Sequence, residues 1–240
     1  IDYEMFKRKK IPLPPIEEQQ NIARFLNYKS AQISRFIRAK KRIIELLKEQ
    51  KQAIINQAVT RGLDPNVKLK PSGVEWLGEI PEHWEVLPLK RVTLLNPSKT
   101  ETKMDNSSEE KVVFLPMEKI SVDGSIDCSE LLPFKQVCNG FTYFRKGDVI
   151  IAKITPCFEN GKGAFLNKLA TDFGFGTTEL IVLRPGDKML GQYLRLILSS
   201  KQFLTIGAQF MTGSAGQKRI PTEFIMNYIV PLPSIEEQIE

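Results

Sequence analysis

The sequence predicts an α+β chain: a mixed, β-rich domain joined to one long α-helix that pairs with a second helix as a coiled coil. Three observations carry this reading. Residues 17–59 contain neither Gly nor Pro and bear an apolar stripe at heptad spacing. Behind them lie short runs of β-branched residues broken by Gly and Pro. An eight-residue motif also occurs twice, as Pro12-Leu13-Pro14-Pro15-Ile16-Glu17-Glu18-Gln19 and Pro231-Leu232-Pro233-Ser234-Ile235-Glu236-Glu237-Gln238. The copies match at seven of eight positions at an offset of 219 residues, a spacing of domain size.

In chain order the motif comes first, and it reads as a junction from extended chain to helix. Pro-Leu-Pro holds the backbone extended and stops what precedes it. The two glutamates then suit the positive end of a helix. In the second copy Ser234 and Glu237 form an S-x-x-E capping box, whereas Pro15 replaces the serine in the first. Each copy announces a helix, and the chain holds the whole of one and the start of the other.

The first helix is predicted from Glu17 to Val59, with Gly62 as its stop signal. Leu26, Ile33, Lys40, Leu47 and Ile54 share one heptad position. Ile22, Lys29, Phe36, Ile43, Gln50 and Gln57 share the other, and Ile37, Ile44 and Ile55 widen the stripe. The candidate interface is therefore Ile22, Leu26, Ile33, Phe36, Ile43, Leu47 and Ile54. A helix of this size is about 60 Å long, more than one domain can bury, so part of the stripe calls for a second long helix. The alternative is a helix packed on its own domain.

Residues 63–73, with Pro65, Pro71 and Gly73, read as a linker. Trp76-Leu77-Gly78-Glu79-Ile80-Pro81-Glu82-His83-Trp84 opens the next domain and offers two tryptophans to its core. Strands are predicted at Val112–Met117, Asp148–Ile154 and Leu180–Leu183, and a helix at Leu190–Ser199 continuing toward Phe203. Asn96–Lys111 is polar and reads as a surface loop.

Charge is distributed unevenly. The 240 residues carry a net +6, but residues 1–62 hold 14 Lys/Arg against 6 Asp/Glu, while residues 63–240 hold 20 against 22. A basic excess favours a polyanionic partner. It does not place that partner on the larger domain, which needs a local patch. No apolar run is long enough to span a membrane. The three cysteines, Cys128, Cys138 and Cys157, lack metal-ligand spacing and read as reduced thiols of a cytoplasmic protein. The first residue is Ile rather than Met, which fits a stretch of a longer chain or a trimmed product.

Catalytic signals are weak. His83 is the single histidine and reads as a satisfied surface or edge residue. Gly213-Ser214-Ala215-Gly216 lacks P-loop spacing, and no dinucleotide or methyltransferase motif occurs. Asp148 with Lys153 is the nearest approach to a metal nuclease and lacks a second acid in register. No catalytic residue and no metal ligand is assigned. Three segments instead have the makings of a recognition surface: Ala152–Gly163, Gly174–Glu179 and Met211–Pro221. They combine small residues, which permit close backbone approach, with side chains that contact phosphates and read base edges. The same composition also suits turns of any β-rich domain.

The repeated Pro-Leu-Pro-x-Ile-Glu-Glu-Gln motif, the long basic helix and the Trp-Leu-Gly-Glu-Ile-Pro-x-x-Trp opening occur in this order. Together they resemble the specificity subunits of type I restriction–modification systems. Lys153–Gly163, Phe175–Glu179 and Gly213–Pro221 resemble one class of their target-recognition domains. The resemblance covers essentially the whole chain. It implies a non-enzymatic subunit that reads double-stranded DNA at a bipartite site, with two recognition domains held apart by antiparallel helices. Modification subunits would supply adenine methylation from S-adenosylmethionine. Restriction subunits would supply ATP- and Mg2+-dependent cleavage, and no cofactor is expected on this chain.

On that pattern residues 1–11 are the tail of a preceding recognition domain and 12–62 the conserved spacer helix. Residues 63–73 are the linker, 74–230 the target-recognition domain and 231–240 the start of a second conserved helix. Only one recognition domain is present, so the chain is either a fragment or a half-subunit that pairs with its own copy through the long helix. The DNA-facing candidates are Lys153, Thr155, Asn160, Lys162, Thr177, Thr178, Gln217, Lys218 and Arg219. The competing reading is an assembly module that recruits proteins without reading DNA, favoured by the acidic balance of residues 63–240.

Overall fold

A computed structural model describes residues 7, 10–214 and 216–239. The expected tail at 1–11 therefore lies outside the described residues except at 7, 10 and 11. The chain divides into two compact units, Ile1–Lys51 and Gln52–Glu240. Among the described residues no helix is long and apolar enough to cross a membrane.

The long helix α1 runs without interruption from Ile16 to Arg61, one residue earlier and two later than predicted. Its 46 residues make a rod of about 70 Å. Glu17 and Glu18 occupy its first turn and Arg61 its last, matching the helix dipole at both ends. Gly62 then takes a φ of 74°, the left-handed stop that glycine adopts without penalty. A Cβ there would also meet the Trp84 ring at 3.2 Å.

Ile22, Leu26, Ile33, Phe36, Ile43, Leu47 and Ile54 are all exposed, from 45% for Ile22 to 63% for Phe36. The last turns of α1 behave differently. Val59 is buried in the main core of the second unit and Ile55 packs against it. The stripe thus divides: its C-terminal end is covered by the chain's own domain, as the alternative reading requires, and the remainder is not.

In the second unit the strands are β1 (Leu69–Pro71), β2 (Glu79–Pro81), β3 (Glu85–Pro88), β4 (Thr93–Leu95), β5 (Lys111–Leu115), β6 (Leu131–Pro133), β7 (Thr142–Arg145), β8 (Val149–Ala152), β9 (Gly163–Phe165), β10 (Phe173–Gly176), β11 (Leu180–Pro185) and β12 (Ile229–Leu232). The helices after α1 are α2 (Phe134–Val137), α3 (Gly191–Ser199), α4 (Lys201–Phe210), α5 (Thr222–Asn227) and α6 (Ile235–Ile239). One antiparallel sheet has the order β4-β11-β8-β9. A second has the order β6-β5-β10-β7, with β10 parallel to β5. Two-stranded pairs β1-β2 and β3-β12 complete the fold. The segment expected as a free linker, 63–73, is thus partly tied down by β1.

β8 reads as an unbroken apolar run because both of its faces are covered. Val149 and Ile151 turn into a core with Leu194, Ile197, Leu198 and Phe203 of α3 and α4. Ile150 turns the other way, into a core with Val113, Leu115, Phe144 and Val182. The period-two alternation assigns each residue to its core, so a one-residue slip would exchange the two sets. The expected helix through Phe203 is broken at Ser200, whose backbone is extended and whose hydroxyl accepts from Phe203 N at 3.2 Å, capping α4.

Asp148, weighed above as a nuclease ligand, is fully buried. Its carboxylate accepts Arg184 Nε at 2.7 Å, Arg184 Nη2 at 3.0 Å and Arg145 N at 2.9 Å. Arg184 Nη1 reaches on to Glu101 at 2.7 Å, and Tyr143 donates to the same carboxylate at 2.8 Å. The Arg184 bond holds Glu101 below the usual carboxylate range, against a smaller upward push from burial. The polar 96–111 loop is therefore anchored in its middle.

The second copy of the repeated motif locks the end of the domain. Ser234 Oγ accepts from Glu237 N at 3.3 Å while Glu237 Oε2 accepts from Ser234 N at 3.2 Å, the predicted capping box. Glu237 Oε1 lies 2.8 Å from His83 Nε2 and accepts from Trp84 Nε1 at 3.2 Å. Gln238 is buried; its amide donates to Lys188 O and Pro233 O and accepts from Leu190 N. In the first copy Gln19 makes the corresponding local bond, Nε2 to Pro14 O at 2.8 Å.

Candidate nucleic-acid interface

The three recognition segments, far apart in sequence, meet at the end of β8. Lys153 N donates to Glu179 O at 2.9 Å, and Lys153 O accepts from Ile220 N at 2.9 Å. Thr155 N donates to Lys218 O at 2.9 Å. The first segment is thus flanked by the other two through main-chain bonds, which set its position independently of any side chain.

The 211–221 segment is a narrow hairpin. Thr212 and Arg219 exchange both main-chain bonds, at 3.0 and 2.8 Å, and Gln217 N closes the tip onto Ser214 O at 3.0 Å. Gly213 has a φ of 129°, and a Cβ there would lie 2.8 Å from Gln217 O. Ser214, Gln217 and Lys218 are exposed at the tip, while Ala215 lies outside the described residues.

Arg219 folds back from this hairpin. Its Nε and Nη2 grip both carboxylate oxygens of Glu179 at 2.9 and 2.7 Å. The guanidinium holds Glu179 below the usual carboxylate range, against partial burial that pushes it up. Arg219 keeps 46% of its side chain exposed, but its charge is matched. Lys153 also lies close enough to Glu179 for its charge to help lower that carboxylate, while Lys218 is exposed beside them.

Thr177 is half-buried and its Oγ1 accepts from Glu179 N at 3.3 Å, while Thr178 is exposed. Thr155 Oγ1 contacts the Met211 sulfur at 3.9 Å. Asn160 and Lys162 belong to the turn within the first segment, between β8 and β9. Asn160 is exposed, but Lys162 Nζ donates to Met117 O at 2.7 Å and so fastens the turn to the fold. Arg195 of α3 fastens it from beneath, Nη2 to Gly161 O at 3.0 Å. Burial pulls the Arg195 pKa down to about 10, still charged at neutral pH.

Two of the glycines in these segments serve the fold. A Cβ on Gly174 would lie 2.5 Å from Val113 O, and one on Gly176 2.8 Å from Leu115 O. Both glycines let β10 approach β5 beneath Phe144. Close backbone approach is indeed what they provide, but to a neighbouring strand.

Beside Lys153 and Thr178 opens a cleft of about 480 Å³ that the sequence did not announce. It is also lined by Asn139, Gly140 and Phe141 of the turn between α2 and β7, and by Lys99 and Tyr143. The signal available in the sequence was the Asn139-Gly140 pair, a turn dipeptide placed between two apolar runs. Gly140 takes a φ of 85° there.

Residues 81–240 match the family model described as the type I restriction modification DNA specificity domain. The chain is 39% identical over 200 residues to the EcoEI type I restriction enzyme specificity subunit of Escherichia coli, covering 81% of this chain and 32% of that one. It is 44% identical over 164 residues to the EcoAI specificity subunit of the same organism, covering 67% and 27%. With the MjaVIII specificity subunit of Methanocaldococcus jannaschii it shares 28% identity over 248 residues, 99% of this chain and 55% of the relative. The chain thus spans less than a third of the two E. coli relatives it matches. Among solved structures, a chain from a study of complex assembly and conformational transition of the type I R-M system aligns with a TM-score of 0.62 at 19% identity, over 95% of this chain and 50% of that one. The HsdS subunit from Thermoanaerobacter tengcongensis aligns with a TM-score of 0.50 at 20% identity, with the same coverages. At these identities the two structures bear on the fold.

Proposed function

Because the chain belongs to the family of type I restriction modification DNA specificity domains, we propose that it is the DNA-reading part of a specificity subunit. It binds double-stranded DNA through residues 74–230 and directs a type I restriction–modification complex to a bipartite site. It performs no chemistry itself. Modification subunits supply adenine methylation from S-adenosylmethionine, and restriction subunits supply ATP- and Mg2+-dependent cleavage, in the cytoplasm.

The observation that carries this reading is the convergence of Lys153, Thr155, Thr178, Gln217, Lys218 and Arg219 on one edge, held by main-chain bonds among three distant segments. A rigid frame presenting adaptable polar side chains is what base readout requires, because misplaced donors lose their partners. Asn160, Lys162 and Thr177 support the same edge: Lys162 and Thr177 through bonds to the fold, Asn160 from an exposed turn.

The exposed stripe of α1 supports the second half of the proposal. Residues 12–62 form the spacer helix, which pairs antiparallel with another long helix. In a half-subunit that helix belongs to a second copy of this chain. Residues 231–240 begin the second spacer.

The test is a fluorescence-anisotropy titration of the full chain with labelled random-sequence duplex from about 50 to about 200 mM salt. Affinity is expected to fall steeply over this range, and the double variant Lys153→Gln/Lys218→Gln to flatten the log–log slope by about 2. A wild-type chain that does not bind duplex at the lowest salt would leave the assembly-module reading in its place.

A further inference from the structure

Resting on the DNA-reading function proposed above, we propose that the Asn139-Gly140-Phe141 turn is a fourth base-reading segment, selecting an A·T pair through the thymine methyl and O4. The cleft beside Lys153 and Thr178 has two lysines in its lining, Lys99 and Lys153, and no acid. That lining suits an anion, and phosphates are the anions of a duplex. The turn lines the same cleft as Lys153 and Thr178 of the edge already described.

Phe141 is the unexpected residue in this polar setting. It is 41% exposed, and its ring stands edge-on to Phe114 at 4.9 Å and 83°. A phenyl fixed in this way is a rigid apolar contact with little entropy left to lose on binding. Asn139 is equally constrained. Its Oδ1 accepts from Lys99 Nζ at 2.7 Å, and the same ammonium binds Cys138 O at 2.5 Å. The amide oxygen is occupied, and the Nδ2 group makes no hydrogen bond among the described residues, so the side chain offers donors.

Thymine is the base whose major-groove edge sets a methyl group beside an acceptor, O4. Cytosine carries a donor where thymine carries O4, and neither purine carries a methyl. A rigid phenyl and an outward N–H donor two residues apart in one turn complement that edge. Lys99 is the positioning residue, because its bond to Oδ1 fixes which way the Asn139 amide faces.

The experiment is selection of binding sites from a randomised duplex pool by the full chain, wild type against Phe141→Ala and Asn139→Asp. Wild type is expected to select thymine at one position, where Phe141→Ala selects it less strongly but still rejects cytosine, because the Asn139 donor remains. Asn139→Asp, which exchanges donors for acceptors at constant volume, is expected to move the preference there to a base that donates. That change of preference cannot arise from a misfolded protein. Replacing the selected thymine with deoxyuridine, which lacks the methyl, is expected to weaken wild-type binding about tenfold and to leave Phe141→Ala unaffected. The proposal is overturned if Phe141→Ala selects the wild-type site with wild-type discrimination, or if deoxyuridine binds as thymine does. A wild-type chain that binds duplex but selects no sequence sinks base reading as a whole, and one that binds no duplex sinks the parent function.

Discussion

Glu179 stands where three chain segments meet, and its carboxylate decides how much positive charge the edge presents. Both of its oxygens are taken by Arg219, so the edge carries an arginine that is already matched. Glu179→Gln is expected to free it: duplex affinity should rise, and the salt slope should steepen by about 1, as for one added phosphate contact. The pH dependence has a definite sign. Because Arg219 depresses the Glu179 pKa, the clamp contributes fully above the ordinary glutamate pKa and is lost as pH falls through the depressed folded value. Thermal unfolding curves of wild type and Glu179→Gln should therefore differ at neutral pH and converge in acid. A gap in Tm that persists at low pH would mean the clamp is not what stabilises the hairpin. None of this was legible in the sequence. Arg219 and Glu179 are 40 residues apart, and Lys162 reads as a free cation until its bond to Met117 O is seen. Residue type and spacing identify which side chains are polar, whereas the partners are set by tertiary packing.

At the scale of elements, the sequence is most legible where structure is local. α1 follows from a stretch free of Gly and Pro, dipole-matched ends and Gly62. The Ser234–Glu237 box follows from spacing alone. The break between α3 and α4 was missed because Ser200 reads equally well as a helix interior residue and as a cap, and the core on both sides of it is apolar. The three candidate segments stand out in sequence by their glycines and polar side chains, and of those glycines Gly174 and Gly176 are required by β5 and Phe144. The heptad stripe makes its own prediction. Leu47 is 58% exposed on α1, and a buried unpaired charge in a helix seam is strongly destabilising. Leu47→Glu is expected to halve the mass of the wild-type chain in sedimentation equilibrium without loss of helical circular dichroism. Equal masses for the two proteins would remove self-pairing through this face while leaving DNA binding untouched.

At the scale of the whole molecule, the proposed pairing of two copies would carry a symmetry. If two copies pair through α1, the two edges are related by a two-fold axis and must read the same half-site in opposite orientations. Sequencing the methylated bases in cells that carry this chain with modification subunits is expected to return an inverted repeat interrupted by unspecified bases. An asymmetric site would mean that a second, different recognition domain completes the subunit. The recurrence of the proline-led octapeptide has a consequence for heredity. Both copies close on themselves through the same glutamine-to-proline carbonyl bond, so the two joints share a local geometry. Genetic exchange between them would cut and rejoin the chain at equivalent joints, 219 residues apart. On the function proposed above, such an exchange would replace one sensing lobe, and with it the address read in the genome, while the first turn after each joint keeps its geometry.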